Sequence, residues 1–95
     1  MYGTVARMKV KPGAEKELLA LTTSEEQMKV PGLLSTTVYK LDAGNDDYIM
    51  AVVFESKESY WANANSPEQD ARYRQFRALL ADDPMWADGE IVYRT

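Results

Sequence analysis

The chain has 95 residues, of which 45% are apolar, 11% aromatic and 27% charged, so it is one small globular domain near the lower size limit for a self-sufficient core. Its 15 acidic and 11 basic residues give a net charge of -4, which disfavours nucleic acid as a partner, and no run approaches the roughly 18 apolar residues of a membrane span. There is no Cys and no His, which removes disulfides, thiolate nucleophiles, the usual neutral-pH base and the commonest metal and haem ligands, and no secretory leader pattern opens the chain, so the expectation is a cytoplasmic protein without metal or cofactor.

Thr4 to Val10 reads as a strand, with Ala6, Met8 and Val10 on one face and Val5, Arg7 and Lys9 on the other. Lys11-Pro12-Gly13 stops it, and the spacing of Ala14, Leu18, Leu21 and Met28 predicts a helix over 14–28, with Thr22-Thr23-Ser24 a weak stretch inside it. Val30-Pro31-Gly32 ends that helix, and Leu33 to Leu41 is a second strand. The acidic turn Asp42 to Asp47 lacks the spacing of a calcium loop and reads as a solvated hairpin connection.

Tyr48 to Phe54 is apolar on both alternating faces, which marks a central strand that needs cover on both sides. Ser56 caps a short helix over 57–62. Ser66-Pro67-Glu68-Gln69 then has the form of a capping box opening a longer helix, which carries Tyr73, Phe76 and Leu80 on one stripe. Asp82-Asp83-Pro84 closes it, Asp88-Gly89 reads as a turn, and Glu90 to Arg94 as the last strand.

This order is the α+β, ferredoxin-like βαββαβ plan, with two helical layers on one face of a four-stranded antiparallel sheet. The other face is partly apolar, and the economical cover is a second copy packed sheet to sheet, which predicts a homodimer. A pocket is expected between the sheet and the helical region from Tyr60 to Phe76.

Val5-Ala6-Arg7-Met8-Lys9-Val10-Lys11-Pro12-Gly13, Val30-Pro31-Gly32-Leu33, Val53-Phe54-Glu55-Ser56, and Tyr60-Trp61 followed by Asn65 and Ser66-Pro67 resemble the antibiotic biosynthesis monooxygenase family. The resemblance covers nearly the whole chain and implies a dimeric α/β barrel. It also implies one of two chemistries: oxidation of phenolic or quinol substrates by molecular oxygen without a cofactor, or haem degradation. The family's helix after the third strand often carries a Trp and, a few positions later, a polar residue that is frequently His. Here Trp61 stands and Asn65 takes the second place, so the haem-binding variant lacks its ligand.

A cofactor-free oxygenase must draw electrons from its substrate, so the protein has to bind a flat phenol and favour its anion. Trp61 and Asn65 are the candidate donors to substrate oxygens, and Arg7 or Arg72 would offset the negative charge. Tyr60, Tyr73 and Phe76 would line the ring site. The competing reading is a non-catalytic barrel that binds a small apolar ligand or assists another enzyme. Trp86 is assigned first to the dimer interface, and no Asp or Glu reads as buried, with Glu25, which falls on the apolar stripe of its helix, the one ambiguous case.

Overall fold

The computed structural model describes residues 1–95. Strands β1 (Tyr2–Lys9), β2 (Leu33–Lys40), β3 (Asp47–Phe54) and β4 (Met85–Glu90) form one antiparallel sheet in the order β2-β3-β1-β4. Helices α1 (Glu15–Thr22), α2 (Glu25–Met28), α3 (Lys57–Ala64) and α4 (Pro67–Arg77) connect them, which is the expected ferredoxin-like order with each helical layer divided in two. None of these helices is long and apolar enough to cross a membrane.

The helix expected over 14–28 breaks at the Thr22-Thr23-Ser24 stretch. Both threonine hydroxyls donate back to the Leu19 carbonyl, at 3.0 and 2.8 Å, and the Ser24 hydroxyl accepts from the Gln27 amide to start α2 afresh. Side chains that compete for backbone partners have ended one helix and capped the next.

The last strand lies earlier than expected. Residues 85–90 pair with β1, from Arg7↔Met85 to Tyr2↔Glu90, so Asp88-Gly89 is strand and not turn. Glu90 already faces Tyr2, where β1 begins, and beyond it only the Ile91 amide finds a backbone acceptor, the Met1 carbonyl at 3.0 Å. Val92 and Tyr93, expected in the strand, are exposed because this chain offers them nothing further to pair with.

The core sits on the helix side of the sheet, where Ala6, Met8, Tyr48 and Met50 meet Leu18 of α1, Phe76 of α4 and Leu80. Leu18 is fully buried, a contribution of roughly 1.5–3 kcal/mol for a side chain of this size. Gly32 joins the layers: its φ of 81° is left-handed, and a Cβ there would strike Ser59 of α3. The opposite sheet face has no cover within the chain; Val5, Tyr39 and Met85 are exposed and Ile49, Ala51 and Val53 half-buried.

Candidate functional site

A cavity of about 710 Å³ opens between the helix-side face of the sheet and the four helices. The strand registers put Thr36, Val52, Thr4 and Asp88 in one row across its floor, from edge strand β2 to edge strand β4. At about 4.8 Å per strand the row spans about 14 Å, enough for a fused-ring molecule. Met50, Phe54, Phe76, Tyr73 and Trp86 supply apolar and aromatic wall, with Tyr73 and Trp86 at 6.4 Å between ring centroids.

Two polar groups stand in this cavity. The first is built by α3 and α4 around Arg72. Its Nη2 donates to Asn63 Oδ1 at 3.0 Å and Gln69 Oε1 at 3.1 Å, its Nε also reaches Gln69 Oε1 at 3.3 Å, and Asn63 Nδ2 donates to the same oxygen at 3.2 Å. Three of the five guanidinium N–H groups are thus engaged by neutral amides, and both on Nη1 have no protein acceptor. The neighbouring arginines behave differently. Arg74 pairs with Asp70 at 2.9 Å and Arg77 with Asp83 at 2.7 Å, whereas Arg72 has no carboxylate partner.

Local sequence explains why this group forms. The Ser66 hydroxyl accepts from the Gln69 amide at 3.1 Å and donates to the Asn63 carbonyl at 2.8 Å, pinning the α3–α4 corner. Only this half of the expected capping box exists. The Gln69 side chain, which a capping box would turn back to the Ser66 amide, goes to Arg72 and Asn63 instead.

The second group is Tyr60 of α3 with Asp88 of β4: the phenol donates to Asp88 Oδ1 at 2.7 Å. Burial first, and then this bond, push the Tyr60 phenol up to about 12, so it holds its proton at neutral pH. Tyr2, Phe54 and Trp61 pack around the ring at centroid distances of 5.1 to 5.4 Å. One further cavity group lacks a partner: the buried Thr36 hydroxyl makes no hydrogen bond. Glu26 also lines the cavity, but from the exposed surface of the short α2.

Tyr60, Arg72, Tyr73 and Phe76, expected to bind substrate, all line the cavity. Trp61, Asn65 and Arg7, expected to be catalytic, do not. On α3, Tyr60 and Asn63 are three residues apart and share the inward face, while Trp61 and Asn65, four apart, share another. Trp61 is exposed and touches the site only edge-on through Tyr60; Asn65 is the exposed C-cap, its amide bonded to the Trp61 carbonyl. Arg7 alternates onto the open sheet face, opposite Ile49 and Met85, and forms no ion pair within the chain. Trp86 stands on the helix-side face against Tyr73, away from the open face to which the interface expectation had assigned it.

Sequence reasoning missed Asn63, Gln69, Thr36 and Asp88. The signal for Asn63 was its three-residue spacing from Tyr60, and for Asp88 the alternation Trp86/Asp88 against Met85/Ala87, which the late placement of the last strand concealed.

A family model described as antibiotic biosynthesis monooxygenase matches residues 1–78. Among solved structures, SnoaB, a cofactor-independent oxygenase from Streptomyces nogalater, is similar over 98% of this chain and 94% of its own, with 16% identity and a TM-score of 0.80. A protein of Chloroflexus aurantiacus J-10-fl, provisionally described as an antibiotic biosynthesis monooxygenase, covers 98% and 96% of the two chains at 25% identity and a TM-score of 0.71. A conserved protein of Methanosarcina mazei Go1 covers 93% and 89% at 20% identity and a TM-score of 0.77. No curated relative matches the sequence significantly.

Proposed function

The chain belongs to the antibiotic biosynthesis monooxygenase family, and from that premise we propose that it is a cofactor-independent monooxygenase acting on an electron-rich phenolic aromatic, of quinol or polyketide type. The observation that carries this reading is Arg72, a cation with two unused N–H donors and no carboxylate partner, beside an aromatic-walled cavity.

A phenol bound with its oxygen on Nη1 meets a fixed opposite charge, which favours the phenolate. The proton leaves to water, and the electron-rich ring reduces oxygen directly. A ring carbon that carries two hydrogens in the keto form becomes a carbonyl with one oxygen atom. The other atom departs with those two hydrogens as water, so the four electrons given up by carbon equal the four taken by oxygen. Asn63 and Gln69 hold the guanidinium in place before the charge develops, which is where such stabilisation is most effective.

The relatives' names support the reaction type, and SnoaB is described as acting without a cofactor. In this reading a second copy covers the open sheet face, and native mass spectrometry should give a mass twice 10.8 kDa; a stable monomer at micromolar concentration would remove the dimer from the account.

Oxygen-electrode measurements with a dihydroxynaphthalene, corrected for its spontaneous oxidation, test the reaction. Arg72→Gln should lower the rate about 100-fold, the usual cost of one preorganised donor to a developing anion, without unfolding the protein. If wild type binds the compound but adds nothing to spontaneous oxidation, the non-catalytic ligand-binding barrel is the better reading.

A further inference from the structure

The two polar groups of the cavity have opposite hydrogen-bonding character. Around Arg72 the unused capacity is donor only, the two N–H groups of Nη1. At Tyr60 and Asp88 it is acceptor only. The single phenol proton is committed to Asp88 Oδ1 at 2.7 Å, which leaves Asp88 Oδ2 without a donor from the chain. No Lys or Arg pairs with Asp88, and nothing else in the chain donates to its carboxylate. Asp88 is exposed, so water satisfies Oδ2 until a ligand hydroxyl takes its place.

The two groups are linked by α3, on which Tyr60 and Asn63 lie three residues apart, about 4.5 Å along the helix axis. We infer that Asp88, oriented by Tyr60, is the specificity-determining group that holds the second, un-ionised hydroxyl of a quinol-type substrate whose anionic oxygen lies on Arg72. This rests on the phenolic monooxygenase reading and sharpens it.

The assignment has a chemical consequence. A hydroxyl that donates to a carboxylate shifts electron density into its ring, which makes the ring a better reductant for oxygen. Asp88 therefore tunes the substrate while Arg72 ionises it. Glu26 of α2 differs from Asp88 in that no side-chain hydroxyl of the chain donates to its carboxylate, whereas Tyr60 donates to Asp88. Asp70 is already paired with Arg74.

The test is anaerobic calorimetric binding of a dihydroxynaphthalene and of its mono-O-methyl ether, which keeps one hydroxyl for Arg72 and offers no donor to Asp88. Wild type should bind the diol at least tenfold tighter than the ether. Asp88→Asn, nearly isosteric at an exposed edge-strand position, should weaken the diol about tenfold and the ether less than twofold; Asp88→Glu should recover part of the diol's advantage. Equal affinities in wild type, or equal losses for both ligands in Asp88→Asn, would overturn the assignment. The underlying reading fails separately: selective diol binding with no oxygen consumption retains Asp88 as the selector and removes the oxygenase.

Discussion

The Arg72 group and the Tyr60–Asp88 pair share a cavity and a helix, yet they are built in different ways. Arg72 is held by two side-chain amides one helical corner away, all within residues 63–72. Tyr60 and Asp88 are 28 positions apart and meet only because β4 pairs with β1 and sets Asp88 opposite Thr4. One group is local in sequence and donates; the other is assembled by the sheet and accepts. A substrate that satisfies both must itself have two unlike oxygens, so the selectivity proposed for this cavity comes from the contrast between the groups.

The contrast can be broken at its local end. Asn63→Ala removes one of the two amides that fix Arg72 and leaves the charge in place, so the oxygen-consumption rate should fall about tenfold, equivalent to about 1.4 kcal/mol, a smaller loss than removing the guanidinium. A loss as large as that of Arg72→Gln would mean that Asn63 touches substrate itself.

At the assembled end the readout is stability against pH. The folded chain keeps the Tyr60 proton until about 12, whereas in the unfolded chain the phenol titrates near its ordinary value of 10. That contribution is complete below pH 10 and is lost as pH rises through 12, because there the unfolded state binds fewer protons than the folded one. Tyr60→Phe should therefore show a shallower fall in urea midpoint over this window than wild type. Tyr48, also raised, by burial first and then by Glu15, contributes equally to both proteins. Parallel declines would show that the folded chain does not hold the Tyr60 phenol above its ordinary value.

The smallest effect sharpens the comparison by leaving both groups intact. Asn65→Ala, at the exposed end of α3 and outside the cavity, should change the rate by less than about twofold, as surface substitutions away from a site usually do. A large loss would restore Asn65 to the site.

The same division between local and assembled structure explains what the sequence could tell. The strand order, the doubly apolar Tyr48 strand and the helix-side core were legible, because alternation and helical spacing report burial directly. Tyr60, Arg72, Tyr73 and Phe76 were legible as cavity lining for the same reason. Trp61 and Asn65 were favoured by resemblance, while the helical phase set by Tyr60 turns both away from the cavity. Gln69 was hidden by its own capping signature, since a pattern that predicts one hydrogen bond cannot show that the side chain has found a better one. Asp88 depended on where β4 begins. Asp88-Gly89 has the composition of a turn, and only the end of β1 at Tyr2 decides that it is strand.

If Arg72 ionises a bound phenol, anaerobic spectrophotometric titration of a dihydroxynaphthalene bound to the protein reads it directly. With wild type, the phenolate band should appear about 1–3 pH units below that of the free compound, the shift expected beside an unpaired opposite charge, and Arg72→Gln should abolish the shift. A bound phenol that titrates at or above its free value in wild type, or identically in both proteins, would contradict the account.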